Sequence, residues 1–337
     1  MRLTDRNLPD VAMDSHRAET DANEGRASRS WSGTDAAPVR RRAYKIRRLI
    51  LTFAGLIAFA SPVVALSPLD LLNGVARLGT YRAFSGIYYA PGPRHQLDVY
   101  QPAGVGTSRP VVVFFYGGSW QDGARDMYRF VGAALASQGF VTVIPDYRLY
   151  PQVRFPAFLE DAAAAVRWVH DHAADYGGDP ERIVLVGHSA GAHIAAMLAL
   201  NPRWLAGVGL DAHRDIKGMA GLAGPYDFLP LKDDTLKMIF GPTKQLARTQ
   251  PITFASGHAA PLFLAAGRRD TTVDPGNSTR LAESVRAHGG VTTVRLYDGV
   301  DHRTLLGAFS PPLRFLAPVL ADTAAFVRSV TRDAPPR

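Results

Sequence analysis

The stretch Ile183 to Ala196 reads IVLVGHSAGAHIAA and restricts the fold more than any other part of the chain. Ile183 to Val186 is a β-branched and aliphatic run, long enough for a buried strand and too short for a helix. Gly187-His188-Ser189-Ala190-Gly191 follows, then a segment of small, helix-favouring residues. A strand that enters a helix through G-x-S-x-G turns sharply and lifts the serine hydroxyl clear of the sheet. Glycines are needed on both sides because the two backbones crowd there and leave no room for Cβ atoms. The helix then aims its unpaired N-terminal N–H groups at any charge that develops beside Ser189. A chance glycine-rich turn has the same pattern, so the rest of the chain decides between the two.

The folded part is expected to run from about residue 85 to 337. Gly86 to Ala90 and Gln96 to Tyr100 read as a strand pair around Pro91-Gly92-Pro93. Pro110 to Tyr116 (PVVVFFY) is the continuous apolar run of a strand covered on both faces, and Val141 to Ile144 is another. Helices are expected over Met127–Gln138, Phe158–Asp175, Asn277–His288 and Leu313–Val330. Further strands are expected over Ile216–Leu222, Pro261–Ala266 and Val291–Tyr297, with Gly177 to Pro180 as a turn. Strands alternating with helices predict an α/β protein with a mostly parallel sheet flanked by helices. Pro225 to Ala260 breaks the alternation and reads as an irregular segment with one short apolar helix near Thr235 to Phe240.

Upstream, the composition changes. Residues 1–48 form a polar tail, read as disordered, that ends in the basic cluster RRRAYKIRR at 40–48. Leu49 to Leu66 is an uncharged run of 18 residues. As a helix it spans roughly 27 Å, the thin end of a bilayer core. It is expected to be a transmembrane anchor with its basic side in the cytoplasm, or an export signal cut after Val63-Val64-Ala65. Either places the catalytic domain outside the cytoplasm, membrane-anchored or periplasmic. Residues 67–84 are expected to be a linker. The net charge of +8 owes much to the basic cluster, and nothing in the folded part resembles a nucleic-acid footprint. The chain has no cysteine, which excludes disulfides, thiolate metal sites and a cysteine nucleophile.

A serine nucleophile needs a base, and the base needs an orienting carboxylate. In this sheet class the chain order is serine, acid, histidine. Asp270 stands just past the strand ending at Ala266, in GRRDTTV, and His302 just past the strand ending at Tyr297, in GVDHRTLLG. Both then emerge at the carboxyl ends of parallel strands, where sites gather in open α/β sheets. Asp274 and Asp301 rival Asp270. Asp274 suits a helix N-cap, and Asp301, next to the histidine, points away from it. His193 is expected to pack on the helix after Ser189, and His188 to line the pocket. His170, His172 and His288 read as surface or helix-end residues. Tyr116-Gly117-Gly118-Ser119-Trp120 ends the third strand, where Gly118 and Ser119 are placed to face the serine with their N–H groups. With the N–H of Ala190 these make an oxyanion hole.

With YGGSW, PDYRL at 145–149, GGDPERIVLVGHSAGAH at 177–193, GRRDTTV and GVDHR in hand, the chain from about Gly86 onward resembles an α/β-hydrolase of the esterase/lipase type. It is most similar to small carboxylesterases of the feruloyl-esterase-like and kynurenine-formamidase-like kind. That family commonly has His-Gly-Gly where this chain has Tyr116-Gly117-Gly118, which leaves open how the loop is braced. The resemblance implies that Asp146, Arg148 and Asp179 are structural. It also implies a serine ester hydrolase with Ser189, His302 and Asp270 as triad, an acyl-enzyme intermediate, a small-molecule ester as substrate, and no cofactor or metal. Pro225 to Ala260 becomes a short cap, with Phe228, Leu229, Leu236, Met238, Ile239 and Phe240 as pocket or packing residues, which favours small to medium substrates. An aryl formamidase and a catalytically silent, membrane-anchored binding module are the alternatives.

Overall fold

The apolar runs sit at the centre of a single eight-stranded sheet in the computed structural model, which describes residues 67–332 apart from Val105 and Thr243. The strands are β1 (Tyr81–Tyr88), β2 (Gln96–Pro102), β3 (Arg109–Phe115), β4 (Val141–Pro145), β5 (Gly178–His188), β6 (Ile216–Leu222), β7 (Leu262–Gly267) and β8 (Thr292–Tyr297), in the order β1-β2-β4-β3-β5-β6-β7-β8. β2 runs antiparallel to β1 and β4, and every other pair is parallel. Val111 to Phe115 and Ile183 to Val186 have no exposed surface. Each such side chain contributes about 1.5–3 kcal/mol by burial, so the two central strands anchor the domain. The edge strand β8 instead alternates exposed and part-buried residues, as a strand covered on one face does.

The helices are α1 (Pro68–Ala76), α2 (Arg129–Ser137), α3 (Ala157–His172), α4 (Ala190–Leu200), α5 (Arg203–Ala206), α6 (Ala212–Asp215), α7 (Asp234–Phe240), α8 (Gly276–Ala287), α9 (His302–Gly307) and α10 (Val319–Val330). Every residue of α4 is buried, and its alanines let it lie close against β5 and β6. The chain passes from β3 to β4 on one side of β3, then returns to β5 on the other. That reversal opens a crevice beyond the carboxyl ends of β3 and β5, the place where open α/β sheets bind ligands.

Three local expectations are corrected. The supposed linker 67–84 holds α1 and the first half of β1. Ser67 and Asp70 cap α1 reciprocally, with Pro68 in its first turn. Asn73 fastens the helix to the domain, donating to the Met127 carbonyl at 3.0 Å and accepting from the Phe130 amide at 3.0 Å. The turn placed at Gly177 to Pro180 is already strand from Gly178 onward. The closing helix is split into a 3-10 turn at Pro311–Leu316 and α10, because Pro318 cannot continue a helix from the preceding turn. His302, just past β8 as expected, opens a helix of its own. The polar tail, the basic cluster and the apolar run 49–66 lie outside the described residues. Among the described residues, no helix is long and apolar enough to cross a membrane.

Candidate active site

The turn from β5 into α4 is forced by contact. A Cβ on Gly187 would overlap the Gly191 carbonyl, and one on Gly191 would overlap the Phe115 carbonyl of the neighbouring strand. Between them Ser189 takes φ 56° and ψ −123°, a left-handed conformation that a non-glycine residue adopts only under constraint. The constraint is visible. The Ser189 amide donates to the Leu222 carbonyl at 2.9 Å, and its own carbonyl accepts from Ala192 and His193.

Ser189 Oγ lies 2.9 Å from His302 Nε2, and His302 Nδ1 lies 2.8 Å from Asp270 Oδ2. A carboxylate only accepts, so Nδ1 carries the proton and Nε2 is left bare to accept from the serine hydroxyl. The other Asp270 oxygen accepts from the amides of Thr272 and Val273, both at 2.9 Å. Burial pushes this carboxyl up. The His302 and backbone hydrogen bonds outweigh it and leave the group below its ordinary value. The residue is therefore a fixed anion at neutral pH. The rival acids are elsewhere. Asp301 caps α9 through Arg303 and Thr304, and Asp274 accepts from the Gly276 amide and pairs with Arg280. Among the described residues, no group of three or more His, Asp or Glu side chains is arranged to hold a metal ion.

The loop after β3 follows an unusual path. Gly118, Ser119 and Trp120 have φ 132°, 52° and 58° in succession. The Gly118 carbonyl is turned back to accept from Gln121 and Asp122, both at 2.9 Å. Among the described residues, the amides of Gly118, Ser119 and Ala190 have no protein acceptor, and a Cβ on Gly117 would come 2.9 Å from Ser189 Cβ. The loop and the serine are thus in contact, with free donors on both.

Tyr116, the departure from His-Gly-Gly, braces this loop. Its ring is stacked between Tyr128 and Tyr147, with centroids 5.2 and 4.8 Å away. Its hydroxyl donates to Asp146 Oδ1 at 2.7 Å and accepts from Arg94 at 2.8 Å. Arg94 also donates to the Gly123 and Tyr147 carbonyls, and Arg125 binds both Asp146 and Asp98. Asp146 is therefore structural, as the resemblance implies. So is Arg148, through Asp161, and so is Asp179, which accepts from the Glu181 amide.

Sequence reasoning placed His193 on the helix but missed what it does. Its Nε2 donates to the Thr249 carbonyl of the cap at 2.8 Å, and its ring meets Trp120 edge-on at 5.1 Å. Phe228 and Phe240 of the cap close on the same tryptophan. Phe228, Leu236, Ile239 and Phe240 pack against the core, whereas Leu229 and Met238 stay exposed. His170 is half-buried beside Asp171, and His172 and His288 are on the surface.

Burial pushes the His193 imidazole down to about 4. The folded protein holds it neutral, while the unfolded chain takes a proton near 6.5. Its contribution to stability is therefore complete above about pH 6.5 and is lost as the pH falls toward 4, by about 3 kcal/mol at most. His193→Gln keeps a donor and removes the titration. Its melting temperature should fall less between pH 7 and pH 4.5 than that of the parent protein. Parallel melting curves across that interval would contradict this account.

The sheet order, the crossovers and the chain order of serine, aspartate and histidine are those of an α/β-hydrolase of the carboxylesterase type. The chain belongs to the BD-FAE family, whose model matches residues 97–285. A probable isoprenylcysteine alpha-carbonyl methylesterase of Oryza sativa is 31% identical over 270 residues, covering 72% of this chain and 63% of that protein. The chain thus spans less than two thirds of that relative's length. The carboxylesterase NlhH of Mycobacterium tuberculosis is 45% identical over 103 residues, 30% of this chain and 32% of that one. Among solved structures, the apo form of Thermogutta terrifontis esterase 2 superposes with a TM-score of 0.61 at 25% identity, covering 77% of this chain and 97% of that one.

Proposed function

We propose that the protein is a serine hydrolase of carboxylic esters. The observation that carries this reading is the unbroken hydrogen-bond chain from Ser189 Oγ through His302 to Asp270. His302 Nε2 takes the hydroxyl proton as Oγ attacks the ester carbonyl. The amides of Gly118, Ser119 and Ala190 hold the oxyanion. His302 then returns the proton to the departing alkoxide, leaving an acyl group on Ser189. Water, activated by the same nitrogen, releases the acid.

Esters are the preferred class over formamides. An amide requires His302 to protonate a poor leaving nitrogen, and so requires tighter placement of the substrate. A formamide with an amino-acid tail also requires a polar grip. The cap offers Lys232, Asp233, Asp234 and Lys237, all exposed, with Asp233 capping α7 and Asp234 paired to Lys237. Leu229, Leu231, Met238 and Leu246 line an open groove of about 1190 Å³ in the cap together with Lys237 and Lys244, and none of the triad or oxyanion-loop residues belongs to its lining. The methylesterase name of the rice relative points to the same class of bond. A panel of p-nitrophenyl esters of graded acyl length, run beside N-formylkynurenine, tests the reading. The best ester is expected to have the higher kcat/KM, with a preference for short and medium acyl chains; a higher value on N-formylkynurenine contradicts it.

The basic cluster 40–48 and the apolar run 49–66 carry the proposal that the catalytic domain is moved across a membrane. In cell fractionation, a membrane-bound protein that keeps residues before Leu49 identifies an anchor. A soluble periplasmic product starting near Leu66 identifies a cleaved signal. A full-length, soluble cytoplasmic protein contradicts both.

A further inference from the structure

His188 is a buried, titratable residue of the site that the proposed chemistry leaves unused. It is the last residue of β5 and immediately precedes Ser189. Its Nε2 stands 3.0 Å from the main-chain carbonyl oxygen of His302, and the two rings are 4.8 Å apart at 45°. A carbonyl only accepts, so Nε2 carries the proton and Nδ1 is bare. Nδ1 has no partner among the described residues and faces Gly117, where an added Cβ would come within 3.1 Å of it. Burial first, and then the facing His302 ring, push the imidazole down to about 3, against the opposing effects of its hydrogen bond to the His302 carbonyl and of Asp270. At neutral pH the ring is an uncharged donor with one fixed tautomer.

We infer that His188 is a positioning residue that ties the backbone of the base to the strand bearing the nucleophile. The inference rests on the assignment of Ser189 and His302 to those roles. His188 reaches Ser189 through one peptide bond and His302 through one hydrogen bond. The 2.9 Å contact between Ser189 Oγ and His302 Nε2 closes the circuit. Asp270 fixes the tautomer and the rotation of the His302 ring, while His188 fixes where its main chain stands. That main chain is held at Val300 just before the helix, and His188 supplies the side-chain tether at His302 itself. His302 begins a helix of only six residues; two residues back Val300 is buried and its carbonyl accepts from the Arg269 amide at 3.1 Å, and the exposed Asp301 lies between. A drift of 1 Å at a reacting group costs up to about 10²-fold in rate. A drift of the base slows proton transfer and leaves substrate binding alone, so the effect falls on kcat.

The test measures kcat, KM and melting temperature on p-nitrophenyl butyrate for the parent, His188→Phe and His188→Gln. The phenylalanine keeps the ring volume without the donor. The glutamine places an amide N–H where Nε2 stands. His188→Phe is expected to lose tenfold or more in kcat, with KM within about threefold, and glutamine to recover most of the loss. If His188→Phe does not fold, His188→Asn decides, since its amide stops short of the His302 carbonyl and should show the same loss of kcat. The inference is overturned if the donorless variant keeps kcat within twofold, if the loss lies in KM, or if glutamine is no better than phenylalanine. An inactive parent protein overturns the esterase reading and this inference together. An active parent with an unaffected donorless variant overturns this inference alone.

Discussion

Ser189→Ala is expected to lower kcat on a p-nitrophenyl ester by about 10⁶ and to leave the melting temperature within a few degrees of the parent protein. The hydroxyl makes one hydrogen bond, to His302 Nε2, so its loss strands no buried partner in need of a proton. The strained turn is held by main-chain bonds to Leu222, Ala192 and His193, which alanine keeps. Alanine also fits the space and suffers the same positive φ that serine does. Chemistry is removed and scaffold is not. Residual turnover above about a tenth of the parent rate would place the nucleophile elsewhere.

Asp270→Asn is expected to cost about 10⁴ in kcat. The carboxylate receives three hydrogen bonds, from His302 Nδ1, Thr272 and Val273. An asparagine can satisfy the two amides with its oxygen. Its NH2 then faces His302 Nδ1, which must become an acceptor, so the proton moves to Nε2. That nitrogen can no longer take a proton from Ser189. Of the matched changes, Asp301→Asn alters the N-cap of α9, and Asp274→Asn alters a carboxylate that stands one residue before the Pro275 cap of α8, rather than at the N-cap expected of it, and that pairs with Arg280. Asparagine keeps the accepting oxygen and caps about as well as aspartate, so both should cost little stability and leave kcat within a few-fold. Kinetics of the three variants side by side check the assignment. A crippling effect of either matched change, with Asp270→Asn mild, would reassign the acid.

Local pattern exposed most of the fold. Val111 to Phe115 and Ile183 to Val186 are apolar at every position because both faces are covered, and such runs identify buried strands from sequence alone. Asp270 and His302 were legible because each follows a recognisable strand in the chain order that this sheet class imposes. The first helix was missed although Ser67-Pro68-Leu69-Asp70 spells a capping box with proline in the first turn. Pro318 inside the predicted closing helix was likewise a readable break.

What no local pattern carries is contact between distant segments. Tyr116 is braced by Arg94 and Asp146, His193 by Thr249, and His188 by the His302 main chain. Each pairing joins residues brought together only by the sheet order. The residue types were visible, but their partners were not. A buried histidine also looks the same in sequence whether it serves chemistry or tethers a backbone. The difference lies in which ring nitrogen finds an acceptor.

Labelling with a fluorophosphonate, followed by peptide mass mapping, bears most directly on the central claim that Ser189 is a nucleophile activated by His302. One adduct is expected, on Ser189, with labelling lost in Ser189→Ala and slowed at least about 10³-fold in His302→Ala. An adduct on any other residue, or a folded parent protein that does not label, would contradict the claim.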